Sequence, residues 1–364
     1  VSTVSEAATI PAEVASKRTL VVGAGAVGSF LGAVLALAGH DVTLVRIFEP
    51  DSEKPVTLVR PDGRRATVPV HRRTRTADAA DPTLILVAVK MPALRDALQP
   101  ASKWPRVPTL TVENGIGAEE IAAEVRPDAL RLAGSLTAPA HLESEDEVHW
   151  LGRGGIGLAA VNPGAEIVVP GLVEDFRRGG MRAARIADAR SMKWSKLLAN
   201  LIGNASGAIL DMGTGDIYRD GNLFAMERAQ LRETLAVMRR EGLRPVAIPG
   251  APMQWFARGV ALPAWLGRPI LARAVGGARA GKLQSLRLNV RSAAPDDPTA
   301  EPLEVAWMNG AVAGHGERAG VATPVNARLS ALADEVAADP ARRAYFRHHP
   351  ERLLAELAGE GGTP

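Results

Sequence analysis

Gly23-Ala24-Gly25-Ala26-Val27-Gly28 is a G-x-G-x-x-G turn, and glycines at that spacing suit one kind of chemistry. Gly23 allows a tight turn, Gly25 lets the backbone approach a pyrophosphate, and Gly28 lets a helix pack closely on a strand. The N–H groups of Ala26, Val27 and Gly28 would then reach phosphate oxygens from the first turn of a helix. The pattern carries that meaning only between a strand and a helix; elsewhere it is a plain glycine-rich turn.

A dinucleotide also needs a group for its adenosine ribose. An acid after the second strand bonds the 2′-OH of NAD, whereas a guanidinium there pairs with the 2′-phosphate of NADP. Arg46 stands in that position and points to NADP as cofactor; Glu49 and Asp51 follow and would serve NAD if the strand ended later. Lys90 and Asn114 each follow an apolar run, which places them at neighbouring strand tips on the cofactor side. Taken singly, a solvated lysine and a helix-capping asparagine fit as well.

In the second half, Lys196, Asn200 and Asn204 are spaced four apart among Leu197, Leu198, Leu201 and Ile202. At roughly 100° per residue, successive members are offset by about 40°, so all three share one helix face. A Lys–Asn–Asn stripe within an apolar helix is costly to bury unless it lines a polar cavity. The alternative is the solvent face of an amphipathic helix, which would normally carry more charge than two amides.

These residues need particular elements to hold them. Arg18–Val22 is a short β-type run ending at the glycine turn, Ala26–Ala38 is a small apolar helix stopped by Gly39, and Asp41–Val45 is a second strand. That is a β-α-β unit of a parallel sheet. Val56–Val59 and Arg65–Val70 flank Pro61-Asp62-Gly63 and predict a hairpin. Thr83–Val89 and Pro108–Val112 are unbroken apolar runs, as in strands covered on both faces. Further β structure is expected at 132–136 and 148–158, a helix over 171–179 and a strand near 181–186. After Asp188 the periodicity is helical: one long helix over 191–210, then helices over 223–241, 305–319 and 326–337. The stretch 245–273 reads as an irregular insertion and 293–302 as an exposed loop.

Composition narrows the function classes. The chain has 364 residues, enough for two domains. A net charge of +3, with bases and acids interleaved, lacks the concentrated basic stripe of a nucleic-acid binder. The absence of cysteine excludes disulfides, thiolate zinc sites and a cysteine nucleophile, and the His residues form no metal-type pair, so no metal is expected. No apolar run is long enough to span a membrane. Residues 1–16 lack the pattern of a secretory signal and read as a loose extension, so a cytoplasmic location is expected. The apolar helices of the second half are compatible with a homodimer.

Together these motifs resemble ketopantoate reductases (2-dehydropantoate 2-reductases) from about Arg18 to Ala337. The likeness rests on Gly23–Gly28, Val87-Ala88-Val89-Lys90, Glu113-Asn114-Gly115-Ile116-Gly117, the W-x-K-L-x-x-N-x-x-x-N run from Trp194 to Asn204, and Glu304-Val305-Ala306-Trp307-Met308-Asn309-Gly310. The resemblance implies an α/β Rossmann domain followed by a mainly α-helical domain of the 6-phosphogluconate dehydrogenase C-terminal type. The expected division is an extension at 1–17, the Rossmann domain at 18–187, the helical domain at 188–350 and a tail at 351–364. It further implies that Lys196 is the general acid toward a 2-oxo acid and that Asn200 and Asn204 bond the substrate. Ser285 would hold the substrate carboxylate, and Glu304 would be the active-site glutamate. Lys90 and Asn114 would serve the cofactor side.

Departures fall on the substrate side. Thr214 stands where the family tends to place another asparagine, Asn289 where an aspartate is common, and the Ser285–Glu304 spacing is lengthened. Two other readings therefore stay open: a family member acting on a different carbonyl or hydroxy acid, and a non-catalytic NADP-binding sensor. The 6-phosphogluconate- and glycerol-phosphate-type dehydrogenases share the plan but need a phosphate-binding cluster of Lys and Arg in the helical half.

Overall fold

The computed structural model describes residues 17–46, 50–263, 265–269, 271, 286, 290 and 303–359. Glu49, Ser285, Asn289 and the 293–302 stretch lie outside the described residues.

The aliphatic run Arg18–Val22 forms strand β1, buried over its last four residues as a central parallel strand should be. Helix α1 (Ala26–Leu37) follows the glycine turn, and β2 (Asp41–Val45) pairs parallel with β1. On the other side of β1 lies β6 (Leu84–Val87), also parallel, with Val22 level with both Val45 and Val87. The sheet extends through β5 (His71–Arg73) beyond β2, and through β7 (Thr109–Thr111) and β8 (Arg131–Leu136) beyond β6. All six run parallel in the order β5-β2-β1-β6-β7-β8, the doubly wound arrangement whose strand order reverses beside the glycine turn. Strand β11 (Gly155–Ala160) adds antiparallel to β8, and β12 (Arg182–Arg185) pairs parallel with β11.

The expected hairpin is β3 (Val56–Val59) with β4 (Arg65–Val68). It belongs to a second sheet, β4-β3-β10-β9, with β9 at Ala140–Ser144 and β10 at Glu147–Trp150. This sheet lies across α1, which also packs on β1 and β2. The Phe30 ring sits 5.4 Å from that of Trp150. Being covered on two sides explains why α1 is buried continuously from Gly28 to Ala36 and apolar nearly all round.

Beyond β12 the described residues are mainly helical, with four corrections to the expected elements. The single helix over 191–210 is two: α5 (Ala189–Leu201) and α6 (Asn204–Leu210). Gly203 breaks it in the left-handed region at φ 59°, and Glu227 accepts the Gly203 N–H at 2.7 Å. Asp188 caps α5 by accepting from the N–H groups of Arg190 and Ser191. A short helix, α7 (Thr214–Arg219), leads to the long α8 (Gly221–Arg240). The stretch read as irregular over 245–273 carries a helix, α9 (Met253–Ala261). Helices Asn309–Ala319 and Pro324–Ala338 agree with expectation. The helix expected from 305 begins instead as a 3-10 turn, Glu304–Trp307. The segment from 351, read as a tail, is a helix, Pro350–Ala358: Leu353 is fully buried and Glu356 pairs with Arg328 and Arg342.

Candidate active site

The glycine turn meets the sheet at the switch point. Gly23 has φ +97°, and a Cβ there would lie 2.6 Å from the Val89 side chain and 2.7 Å from the Ala88 carbonyl oxygen. At Gly28 an added Cβ would fall 1.9 Å from the Gly23 carbonyl oxygen, so neither position accepts a side chain. Gly25 differs: it is exposed, and an added Cβ would meet nothing within 4 Å. The first turn of α1, holding Ala26, Val27 and Gly28, contains no acid. No side chain caps this turn, so the positive dipole end of α1, next to exposed Gly25, suits a pyrophosphate.

Arg46 and Lys90 follow the neighbouring strands. The Arg46 N–H bonds the Arg73 carbonyl at 3.0 Å, continuing the β2–β5 ladder one residue past β2, and its side chain is partly exposed. The second strand ends at Val45, as expected, and Arg46 directly follows it. Asp51, the alternative ribose ligand, accepts instead from the Thr74 N–H at 2.7 Å and the Thr74 hydroxyl at 3.0 Å. Lys90 is exposed, three residues past the end of β6.

Asn114 lies three residues past β7, and here the two halves of the chain meet. Its Oδ1 accepts from Asn200 Nδ2 at 2.9 Å. Two residues of α5 reach across this seam. Lys193 Nζ donates to the Glu113 carbonyl at 2.7 Å, Asn200 bonds Asn114, and half-buried Lys196 lies between them in sequence. At roughly 100° per residue these three fall within about 60° of one another around the helix. Of the expected single-face stripe, Lys196 and Asn200 lie on α5, where Asn200 meets the loop after β7, and the break puts Asn204 on the next helix.

Asn204, past the break, starts α6 rather than continuing α5. It is 7% exposed; its Nδ2 donates to Met308 Sδ at 3.4 Å, and its Oδ1 has no partner. Met308 ends the turn that begins with buried Glu304, and the Trp307 carbonyl of that turn accepts from the Ile116 N–H at 2.9 Å. Asn114, Asn200, Asn204 and the Glu304–Met308 turn thus converge. Thr214 is buried against Gly203, where an added Cβ would come within 2.8 Å of its methyl group. Ser285 lies outside the described residues.

The sequence reading assigned no role to Glu113, Lys193 or Glu227. Glu113 is buried, neither carboxyl oxygen has a partner, and burial pushes its pKa up to about 8 despite nearby Lys193. Glu227 is wholly buried beneath the α5–α6 break, also accepting from the Ser206 hydroxyl at 2.6 Å; burial raises its pKa. Local sequence carried no clear signal for them: Asn114 and Gly115 follow Glu113, serines and charged residues surround Lys193, and Arg228 adjoins Glu227. Among the described residues no His/Asp/Glu cluster could hold a metal ion, and no helix is long and apolar enough to cross a membrane.

Known proteins agree with this architecture. Residues 19–163 match the family model for ketopantoate reductase PanE/ApbA, and residues 188–337 match the model for its C-terminal part. The 2-dehydropantoate 2-reductase of Pyrococcus horikoshii is 30% identical over 234 residues, covering 62% of this chain and 75% of the relative. That of Pyrococcus abyssi is 24% identical over 326 residues, covering 86% and 96%. The crystal structure of a PanE/ApbA family ketopantoate reductase from Ralstonia eutropha superposes with a TM-score of 0.71 at 21% identity, covering 88% of this chain and 98% of that one. D-mandelate dehydrogenase, solved with NADH and anilino(oxo)acetate, gives 0.70 at 19% identity over 90% and 99%. With both halves matched in order, the chain belongs to the ketopantoate reductase family, a family of oxidoreductases acting on CH–OH groups.

Proposed function

We propose that this chain is an NADPH-dependent reductase of 2-oxo acids, with ketopantoate to pantoate as the leading reaction. The Asn200–Asn114 bond carries this reading. It ties α5, the helix that bears Lys196, to the loop after β7, and this supports a reacting centre between the two halves. NADPH supplies the hydride. Ala26, Val27 and Gly28 donate backbone N–H groups to its phosphates, Arg46 pairs with the 2′-phosphate, and Lys90 and Asn114 border its site. Negative charge grows on the substrate carbonyl oxygen, where the Lys196 ammonium neutralises it and donates a proton. Asn200 and Asn204 fix the reacting oxygen in line with that amine. The unpartnered Oδ1 of Asn204 supports this role, since a substrate hydroxyl would satisfy it. Glu304 orients the lysine or accepts a substrate hydroxyl, and Ser285 and Thr214 complete the acid's site.

A second reading keeps the chemistry and changes the acid. Thr214 replaces the expected amide, and the likeness to D-mandelate dehydrogenase extends over 90% of the chain, so a bulkier 2-oxo or 2-hydroxy acid suits this site too. The division at 187/188, a cytoplasmic location and a homodimer accompany both readings; the second family model starts at 188, which supports the first of these.

One assay tests the proposal: a panel of 2-oxo acids, ketopantoate and phenylglyoxylate included, followed by loss of NADPH or NADH absorbance. Ketopantoate with NADPH should give the highest kcat/KM. Lys196→Ala should lower turnover by a factor on the order of 10² or more, with NADPH binding retained. Undiminished turnover in that variant would remove Lys196 from the mechanism, and binding of NADPH without turnover of any acid would favour a sensor.

A further inference from the structure

Two buried charged residues at the seam have no part in the reaction proposed above. Lys193 is 4% exposed and joins positions 80 residues apart, its Nζ donating to the Glu113 carbonyl at 2.7 Å. The same ammonium lies 3.3 Å from Glu119 Oε1, on the helix α3 (Ala118–Val125), and that oxygen also accepts from the Thr111 hydroxyl at 2.8 Å. A buried ammonium is expensive without a counter-charge, and Glu119 supplies one. An ion pair alone would not need the Glu113 carbonyl, yet that contact anchors the residue directly before Asn114.

We propose that Lys193 and Glu113 form a latch between the two halves of the chain, positioning Asn114 against Asn200 for the reaction. Both are positioning residues, and the idea rests on the reading that Asn114 and Asn200 border the reacting centre. Glu113 is 5% exposed, with no donor to either carboxyl oxygen, so an ionised carboxylate there is poorly supported. Charged groups act on it from two packed elements: Lys193 on α5, which lowers its pKa, and Glu119 on α3, which raises it; the backbones of Glu113 and Val89 lower it as well. Burial outweighs these and holds the pKa at about 8, so near neutrality the seam contains one cation and one anion. When Glu113 ionises, two carboxylates compete for one ammonium. The lysine is drawn off the Glu113 carbonyl, and Asn114 loses its anchor.

The test uses the full chain, with Glu113→Gln, Lys193→Met and Lys193→Arg beside the wild type. Turnover is measured from pH 7 to 9, and the thermal midpoint without substrate from pH 5 to 9. If only the neutral acid is competent, the ratio of Glu113→Gln to wild-type turnover should rise about tenfold between pH 7 and 9. Lys193→Met should lower kcat by about tenfold or more with NADPH affinity little changed, and Lys193→Arg should restore part of it. The melts need no substrate. A carboxyl raised from 4.5 to about 8 on folding makes stability fall as pH rises between those values and level off above, a decline that Glu113→Gln should flatten. Identical pH curves for Glu113→Gln and wild type in both measurements would overturn the latch, as would wild-type turnover in Lys193→Met. If Lys193→Met fails to fold, Glu113→Gln and Lys193→Arg decide alone. If the wild type turns over no 2-oxo acid while the melts behave as stated, the functional reading fails and the titrating seam remains.

Discussion

Gly115 illustrates how one backbone position can tie the site together. Its φ is 90°, and an added Cβ would lie 2.4 Å from the Trp307 carbonyl oxygen, the atom that also receives the Ile116 N–H. A methyl group there would strain the backbone and push the Glu304–Trp307 turn away from Asn114. Gly115→Ala should therefore cost about 1–3 kcal/mol in urea denaturation and lower turnover as well. A variant as stable as wild type would show that the turn can move freely. At this scale the sequence was informative wherever a residue type had one local meaning, as for Gly23 and Gly28. Glu113 and Lys193 were opaque because their significance lies in burial and in a partner across the fold.

Helix α5 and helix α6 are separated where the hydrophobic periodicity runs on without interruption. Periodicity reports which side chains are apolar; it does not register a backbone N–H bonded to a glutamate from another helix. Glu227 holds the break by accepting from the Gly203 N–H and the Ser206 hydroxyl, with the Tyr218 hydroxyl at 3.3 Å. Removing it with Glu227→Ala would leave buried donors without an acceptor. The expected loss is about 1–3 kcal/mol, measurable by denaturant titration, with a smaller loss in Glu227→Gln, which keeps an oxygen acceptor. Equal losses in the two variants would assign the effect to volume rather than to the hydrogen bonds. The strands and the glycine-led helix were legible because each is a local pattern. The pairing of β3 with β10 over α1 was not, because it joins segments nearly ninety residues apart.

Across the whole molecule, one buried carboxylate ties the start of β1 to the helix α4 (Val169–Arg178). Asp175 pairs with Lys17 at 2.7 Å and with His40 at 3.1 Å, and Arg178 also donates to it; His40 in turn meets the Thr19 hydroxyl at 2.7 Å. Burial alone would raise its pKa, but the hydrogen bonds from His40, Lys17 and Arg178 outweigh it and hold the carboxyl well below its ordinary 3.8. A depressed folded-state pKa gives stability that is present above about 3.8 and lost as pH falls toward the folded value. Asp175→Asn should thus be less stable than wild type at pH 7, with the gap narrowing below about pH 3.8. A gap that stays constant on acidification would count against the ionic account.

The placement of α1 between two sheets has a consequence for ligand affinity. A rod clamped along both flanks cannot tilt or unwind when an anion arrives at its amino end. Its donors keep their aim whether or not a nucleotide is present, so association loses little conformational freedom on the protein side. A larger part of each contact then survives as binding strength.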